Sequence, residues 1–342
     1  MIFSDISISP KTYKMIKNFE SSINHSSRDS WIIKITDGDG FSGYGEASPL
    51  PSFNEETFEM AGYALEGFKL AVSNISDDFE IEELLILIQA HTDNMPSACF
   101  AIETAIYDIL SQKKQLPLNL YFNPKALSTL KVNGIYGLID YNHYNTIKVK
   151  CGFRNLYNEI ELLDLLTSKY GKDVSFILDI NQNYDLPQAI RFLKEIKQFN
   201  IAYVEQPLAK GELEDLAELR LHSDIPIAVD ESVQGIDSIH NILNHNAADI
   251  MVLKPQSLGS FSKVKEAVEL IKDENKVPTI SCSLEGKIGR FSSMHLSSIN
   301  QINAPCGLAL EKIYLNENNF FPEILNGMIS LSTAYGLGHK DS

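Results

Sequence analysis

The stretch Thr146-Ile-Lys-Val-Lys150 (TIKVK) decides between two folds for the middle of the chain. It alternates like a β-strand, so Lys148 and Lys150 face one side while Ile147 and Val149 face the other. An isolated pattern of this kind is typical of an edge strand whose lysines are solvated. The alternative is a strand whose lysines point into a closed sheet, and the rest of the sequence distinguishes the two.

Short apolar runs of the same kind recur from about residue 128 onwards, and amphipathic segments separate them. The runs span residues 130–133, 147–150, 176–179, 202–205, 226–230, 250–254 and 278–281. Residues 187–199 and 261–272 carry apolar side chains at helical spacing. Alternating strands and helices predict a parallel sheet. Seven such units, with a possible eighth strand at 307–310, predict an α/β fold closed into a (β/α) barrel of TIM type.

The N-terminal part has a different pattern. Strands are predicted at 30–36 and 41–46, with a turn between them, and helices at 55–75 and 96–114. The second helix is apolar on most sides, so we expect it to be buried, with Ser97 as its N-cap. Strands followed by helices predict an α+β unit ahead of the barrel.

Composition restricts the class of protein. The 342-residue chain has a formal net charge of −16, which argues against nucleic-acid and anionic-membrane partners. The sequence has no apolar run of membrane-spanning length and no signal-peptide pattern at its N-terminus. Its four scattered cysteines predict buried or incidental thiols in a reducing compartment. We therefore expect a cytoplasmic protein, and composition leaves its oligomeric state open.

A charged side chain ends five of the apolar runs. These residues, separated by 24 to 29 positions, are Lys150, Asp179, Glu205, Asp230 and Lys254. Each has an ordinary explanation on its own, such as a helix cap or a solvated strand end. In a barrel, however, all five would meet at the C-terminal rim, where barrel enzymes build their sites.

Three clustered carboxylates repel one another unless a cation neutralises them. Oxygen ligands on rigid strands suit Mg²⁺, with Mn²⁺ as a possible substitute, and the absence of Cys and His from these positions argues against zinc. Lys148 adds a positive charge beside Lys150, which we expect to lower the pKa of the Lys150 ammonium. A lysine of this kind can take a proton from carbon next to a carboxylate, if a metal ion stabilises the enediolate.

The motifs form an ordered set: Lys148-x-Lys150, Asp179 in LDIN, Glu205 in VEQP, Asp230 in VDES and Lys254 in LKP. This set resembles the enolase superfamily, muconate-lactonising subgroup. Three further segments are similar to the o-succinylbenzoate synthases of that subgroup. They are GYGEASPLPSFNEET (43–57), MPSACFAIETAIYD (95–108) and ISCSLEGKIG (280–289).

The resemblance covers nearly the whole chain. It implies an N-terminal α+β capping domain at 1–125, onto which the tail at about 315–342 packs back, and a modified (β/α)₇β barrel at 126–314. It also implies a small-molecule carboxylate substrate. The implied reaction is the syn dehydration of 2-succinyl-6-hydroxy-2,4-cyclohexadiene-1-carboxylate to 2-succinylbenzoate, a step of menaquinone biosynthesis.

The resemblance also assigns roles to residues. Asp179, Glu205 and Asp230 would bind the metal, Lys150 would remove the α-proton and return it to the leaving hydroxyl, and Lys254 would stabilise the enediolate. We expect the ligands to be oriented by Asn181, Gln206 and Glu231. Substrate contacts are expected from Arg28, Ser257, Ser281 and Ser283, and the loops 21–28 and 49–53 would close over the substrate.

Other functions stay open. A racemase of N-succinylamino acids or a dipeptide epimerase would use both Lys150 and Lys254 as bases. The segment 307–312 lacks the Asp-x-Asp with which dipeptide epimerases hold an amino group, and it also differs from the small-residue stretch expected of some synthases. A Schiff-base aldolase or a non-catalytic metal-binding barrel would leave the paired lysines unexplained.

Overall fold

The computed structural model describes residues 1–16, 27–51, 53–73, 78–138, 143–309, 313–315 and 322–338. These residues form an antiparallel N-terminal sheet, a seven-stranded parallel sheet and a small antiparallel sheet. No helix in this part of the chain is long and apolar enough to cross a lipid bilayer. All four cysteines are buried free thiols, as the sequence predicts.

The N-terminal sheet has the strand order β1–β2–β3, and four helices follow it. The elements are β1 (Phe3–Lys14), β2 (Ser27–Asp37), β3 (Ser42–Ala47), α1 (Phe58–Ser73), α2 (Ile81–His91), α3 (Pro96–Lys113) and α4 (Leu118–Phe122). Alternation along β2 buries Ile33 and Ile35 in a core shared with α1, α2 and α3. The predicted α+β unit is therefore present.

Helix α3 packs directly on β3. A Cβ atom at Gly43 would lie 1.9 Å from the Ala105 carbonyl oxygen, and one at Gly45 would lie 1.8 Å from that of Ala101. Two glycines are required here because only a strand without side chains on this face allows the helix so close.

The predicted N-cap of α3 is wrong. Met95 occupies the N-cap position, Pro96 is the first helical residue, and Ser97 lies inside the first turn. The carboxylate of Glu56 accepts hydrogen bonds from the backbone N–H groups of Ser97 (2.9 Å) and Ala98 (3.2 Å). A residue distant in sequence thus caps this helix, which local spacing does not reveal.

The parallel sheet has the order β11-β10-β9-β8-β7-β6-β5, and helices follow its strands. Its strands are β5 (Gly134–Ile135), β6 (Thr146–Lys150), β7 (Ser175–Asp179), β8 (Ile201–Glu205), β9 (Ile227–Val229), β10 (Ile250–Leu253) and β11 (Val277–Ile280). The helices are α5 (Leu156–Tyr170), α6 (Leu186–Glu195), α7 (Leu213–Leu221), α8 (Ile236–Asn244), α9 (Pro255–Leu258), α10 (Phe261–Asp273) and α11 (Lys287–Ile299). This is the predicted (β/α) barrel of TIM type.

Two predictions about the barrel strands need correction. The run 130–133 was predicted as a barrel strand, but β4 (Thr129–Lys131) pairs instead with β13 (Met328–Ser330), which pairs with β12 (Ile324–Leu325). Residue 310 of the predicted eighth strand at 307–310 lies outside the described residues, and the described segment 306–309 has only single bridges, Ser281 to Gly307 and Cys306 to Val132. These bridges connect the end of β11 to the segment before β5.

The described part of the C-terminal segment runs back to the N-terminal helices. The backbone of Gly336 exchanges hydrogen bonds with Leu116 and Leu118, and the N–H of Leu337 donates to Asp108 on α3 at 2.7 Å. The packing of the tail at about 315–342 onto a capping domain stays a prediction. The domain boundary at residue 125 stays a prediction.

The interior of the barrel contains a separate apolar layer of Ile177, Tyr203, Ala228 and Ile250. Residues two positions further along a strand face the same side, one layer nearer its carboxyl end. Asp179, Glu205 and Asp230 occupy that next layer. The fold thus places apolar side chains one layer beneath these three acids, at the level of Lys148, which pairs in register with Ile177.

Candidate active site

Lys148 and Lys150 both point into the barrel. Strand β6 lies between β5 and β7, and Ile147 and Val149 are buried on its opposite face. The ammonium nitrogen of Lys148 lies 2.6 Å from Glu205 Oε1 and 2.9 Å from Asp179 Oδ2. The solvated edge strand is therefore excluded as an explanation of TIKVK.

Lys150 lies nearer the carboxyl end of the same strand. Its Nζ is 2.7 Å from Asp179 Oδ2 and 2.6 Å from the side-chain oxygen of Asn181. The amide nitrogen of Asn181 in turn donates to Glu231 Oε1 at 2.9 Å. Asn181 therefore connects Lys150 to an acid beside Asp230.

Lys254 lies at the end of β10, four strands along the sheet from β6. It forms a buried ion pair with Asp230. Its Nζ also lies 3.6 Å from the ring centroid of Phe53, a residue of the loop that follows β3. Two contacts that favour a positive charge therefore hold this lysine, one from the barrel and one from the N-terminal unit.

Burial and neighbouring charges shift the pKa values of the acids in the site in different directions. Burial opposes the ionised form of Asp179, but Lys148 and Lys150 outweigh it and lower the Asp179 pKa. Burial raises the pKa of Glu205 to about 8, since Lys148 offsets burial only in part and the neighbouring acids add repulsion.

Burial opposes the charge of Lys148 too, yet Asp179 and Glu205 raise its pKa well above the ordinary value. Lys148 is therefore a charged partner of these acids rather than a proton acceptor. The expected lowering of the Lys150 pKa stays a prediction.

The donor set suits a hard divalent cation: Asp179, Glu205 and Asp230 offer carboxylate oxygens from three neighbouring strands. Their side chains are turned towards ammonium groups, and the Lys148 nitrogen lies between two of them. Among the described residues, no three Asp, Glu, His or Cys side chains are grouped as a bound metal ion would require.

Gln206 and Glu231 contact the acid-bearing loops in different ways. The Gln206 side-chain oxygen accepts from the backbone N–H of Asp230 (2.9 Å) and of Ser232 (3.1 Å), so it fixes the backbone rather than the Asp230 carboxylate. Both Asn181 and Gln206 adopt left-handed backbone conformations. Glu231 Oε2 is a buried atom without a hydrogen-bond partner in the described structure.

A cavity of about 100 Å³ opens above the two lysines of β6. It is lined by Leu50, Phe53, Asn133, Ile135, Lys148, Lys150, Asp179, Asn181, Asp230, Glu231, Lys254, Ser281, Cys282, Ser283, Leu284 and Gly307. The structure brings most of the predicted site residues to this wall, including Ser281 and Ser283. The lining residues Leu50 and Phe53 come from the predicted loop 49–53.

Two predicted substrate contacts lie elsewhere. Ser257 on α9 is not part of the cavity lining. The buried guanidinium of Arg28 donates to the carbonyl oxygens of Ser48 (2.7 Å) and Ser283 (3.3 Å), so it holds backbone rather than facing the cavity. Of the predicted loop 21–28, residues 21–26 lie outside the described residues.

Five lining residues were not predicted as site residues: Asn133, Ile135, Cys282, Leu284 and Gly307. Asn133 ends the apolar run 130–133, so the same reasoning that selected Asp179 could have found it. Leu284 has an ordinary sequence context, and nothing in the sequence marks it.

The model of the family described as "Enolase C-terminal domain-like" matches residues 136–340 of the chain. The chain belongs to the enolase superfamily. Its named relatives in that superfamily are enzymes. The o-succinylbenzoate synthase of Geobacillus stearothermophilus is 26% identical over 322 residues, which cover 90% of this chain and 85% of the relative. The L-Ala-D/L-Glu epimerase of Thermotoga maritima is 27% identical over 311 residues, which cover 86% and 88%.

The fold of this enolase superfamily chain also matches solved structures. The dipeptide epimerase of Enterococcus faecalis complexed with Mg and the dipeptide L-Leu-L-Tyr superposes with a TM-score of 0.87 at 22% identity. The match covers 99% of both chains. At this level of identity the likeness establishes the fold and leaves the substrate open.

Proposed function

We propose that the protein is an o-succinylbenzoate synthase that dehydrates 2-succinyl-6-hydroxy-2,4-cyclohexadiene-1-carboxylate. The observation that carries the proposal is the arrangement at the rim: Lys148 and Lys150 meet the acids on one flank, and Lys254 meets them on the other. That arrangement suits removal of a proton next to a carboxylate. The synthase relatives, matched over 90–94% of the chain, support this choice of substrate.

Asp179, Glu205 and Asp230 would hold Mg²⁺. A bound Mg²⁺ would withdraw negative charge from the substrate carboxylate and so make the neighbouring C–H bond more acidic. Asn181 and Gln206 would hold the surrounding loops, since they contact Lys150 and the Asp230 backbone.

In this proposal Lys150 accepts the proton from the carbon α to the carboxylate, and the C–H electron pair moves into the enediolate. The pair then returns to form the ring double bond as the C–OH bond breaks. The departing hydroxide takes the proton from Lys150 and leaves as water, which restores the neutral amine. Lys254 supplies positive charge on the other flank of the enediolate.

The rim of the eighth strand position favours dehydration over dipeptide epimerisation. Residues 307–312 are Gly-Leu-Ala-Leu-Glu-Lys and lack the Asp-x-Asp with which dipeptide epimerases hold an amino group. Gly307 lines the cavity, and a Cβ atom at this position would lie 2.4 Å from the Ser281 hydroxyl oxygen. Leu50, Phe53 and Leu284 give the cavity an apolar wall suited to the methylene groups of a succinyl tail.

An ultraviolet assay of 2-succinylbenzoate formation tests the proposal. We expect the wild-type protein to aromatise the substrate in the presence of Mg²⁺ and to lose this activity in excess EDTA. No aromatisation by folded protein at saturating Mg²⁺ would contradict it.

The second candidate is an N-succinylamino acid racemase, which the placement of amines on both flanks favours. In D₂O, such an enzyme would exchange the α-hydrogen of N-succinylamino acids for deuterium as it inverts them. A strict synthase would leave these compounds unlabelled, so nuclear magnetic resonance of the recovered amino acid separates the two functions.

A further inference from the structure

Leu284 lines the cavity in a backbone conformation that leucine rarely adopts. Its φ is +59°, in the left-handed region where a branched side chain is unfavourable. A residue keeps such a conformation only when surrounding contacts determine it. The contacts around Leu284 therefore decide the shape of this wall.

Three buried polar residues hold the backbone at Ser283 and Leu284. The Tyr314 hydroxyl donates to the Leu284 carbonyl oxygen, and the Glu285 carboxylate accepts from the Ser283 N–H. The Arg28 guanidinium donates to the Ser283 carbonyl oxygen at 3.3 Å. All three side chains are buried, so water competes little for these hydrogen bonds.

These three residues come from three different parts of the molecule. Arg28 belongs to β2 and Glu285 to the loop after β11, whereas Tyr314 lies in the C-terminal segment. Tyr314 is itself fixed by a β-bridge to Met15 and by the Tyr13 ring, whose centroid lies 5.1 Å away. The contact from Glu285 is local, since it is the next residue in the chain, whereas those from Arg28 and Tyr314 form only when the fold brings distant segments together.

Arg28 also connects two sides of the cavity. It donates to the carbonyl oxygen of Ser48 at 2.7 Å as well as to Ser283, and Ser48 lies two residues before the lining residue Leu50. The charged residues of the cavity are engaged with the reacting carbon and its carboxylate in the proposed function. The wall formed by Leu50, Phe53 and Leu284 is left for the rest of the substrate.

We propose that Arg28, Glu285 and Tyr314 form a brace that holds Leu284 against the substrate tail and so determines which tail the enzyme accepts. The choice of tail rests on the proposed function. Arg28 is then a positioning residue rather than the carboxylate ligand that its charge suggests. The brace acts on substrate binding and leaves the proton transfer at Lys150 unaltered.

Hydrogen–deuterium exchange tests the brace without reference to activity. Tyr314→Phe removes one hydroxyl and keeps the ring, so we expect faster exchange of the backbone amides of residues 281–286 and unchanged exchange at β6. Tyr121→Phe, on α4 and outside the cavity, is the matched control. Exchange at 281–286 that equals the wild type in both Tyr314→Phe and Arg28→Met overturns the brace.

Kinetics of the Mg²⁺-loaded enzyme test the role in specificity. Loss of one buried hydrogen bond predicts a rise in KM of about fivefold to tenfold for Tyr314→Phe, with kcat within about twofold of the wild type. In a Leu284→Gly background, where glycine tolerates the left-handed conformation, Tyr314→Phe should change KM by less than about twofold.

An unchanged KM for Tyr314→Phe overturns the assignment to specificity. So does an equal effect of Tyr314→Phe on KM in the wild type and in the Leu284→Gly variant. A wild-type protein that forms no 2-succinylbenzoate overturns the proposed function and the choice of tail with it. The exchange measurement then still decides whether the brace exists.

Discussion

The barrel rim and the joint between the N-terminal unit and the barrel both bury carboxylates, but they pair them with different groups. At the rim, Asp179, Glu205 and Asp230 face lysine ammonium groups. At the joint, acids accept hydrogen bonds from backbone N–H groups at the starts of helices. Glu46 binds Gly286 and Gly289 at α11, and Glu103 binds Phe261 at α10. Glu56 binds Ser97 and Ala98 inside the N-terminal unit, at the start of α3, where Pro96 lies against Gly259 of the barrel.

A shifted pKa does not separate these two regions. Burial raises the pKa of Glu205 to about 8, and it also raises those of Glu56 and Glu103 to about 7. The partner separates them, because a lysine side chain can move aside for a cation or a substrate whereas a helix N-terminus cannot. A buried acid with a mobile charged partner therefore indicates function more strongly than a buried acid alone.

The largest effect is expected for Lys150→Ala, which should lower activity strongly and stability little. Removal of a general base should lower kcat by about a thousandfold or more, measured as the initial rate of 2-succinylbenzoate formation. Because Lys148 still pairs with Asp179, the urea midpoint of unfolding should change little. Lys265→Ala, an exposed lysine on α10, is the control and should keep full activity. If Lys150→Ala kept more than about a tenth of the wild-type rate, Lys150 would not be the general base.

Asp179→Asn should weaken Mg²⁺ binding by about a hundredfold, since it replaces a charged ligand with a neutral one. Bound Mg²⁺ stabilises the folded protein, so the Tm of the wild type should rise with Mg²⁺ concentration. The variant should need a far higher Mg²⁺ concentration for the same rise in Tm. Asp237→Asn, on the exposed side of α8, is the control. Equal Mg²⁺-dependent rises in Tm for Asp179→Asn and the wild type would mean that Asp179 is not a ligand.

At the joint, Glu46→Ala should act on stability rather than on chemistry. The change leaves the buried N–H groups of Gly286 and Gly289 without their acceptor, which predicts a loss of about 2–4 kcal/mol in the free energy of unfolding. Urea titration measures this loss against Glu66→Ala, an exposed acid on α1. A fully stable but inactive Glu46→Ala would erase the distinction between the two regions.

The smallest effect is expected from Glu103→Gln and depends on pH. The pKa of Glu103 is raised from 4.5 to about 7, so its contribution to stability is present below about pH 4.5 and is lost as pH rises to about 7. Glutamine keeps an acceptor for the Phe261 N–H without a charge. We therefore expect the variant to exceed the wild type by about 1–2 kcal/mol at pH 8, with no such gain at pH 4. A gain independent of pH would contradict the cause assigned here.

The residues of the rim could be predicted because the side-chain pattern of a β-strand is visible in a short stretch of sequence. Alternation in β6 and the polar residue at the end of each apolar run are properties of a few neighbouring residues. Once a parallel barrel is inferred, its geometry brings Lys150, Asp179 and Glu205 to one edge without further information. The structure pairs these three positions in register across β6, β7 and β8.

The joint was not predictable in this way. The cap of α3 comes from Glu56, some forty residues before it, and the barrel closes through single bridges at Cys306 and Gly307. Arg28 was predicted as a ligand because a loop arginine shows its charge but not its partners. The structure buries it against two carbonyl oxygens.

The sequence by itself determined the barrel, the order of the acids and lysines, and the superfamily to which they belong. The barrel and the meeting of these residues at one rim follow from periodicity and spacing, which short-range sterics impose on strands and helices, whereas the superfamily follows from the resemblance of the ordered motifs. Only the tertiary structure decided which lysine faces which acid, how helix N-termini are satisfied and how Leu284 is held in a strained conformation. Those outcomes depend on contacts between distant segments, because a buried polar group must find its partner wherever the fold brings one within reach.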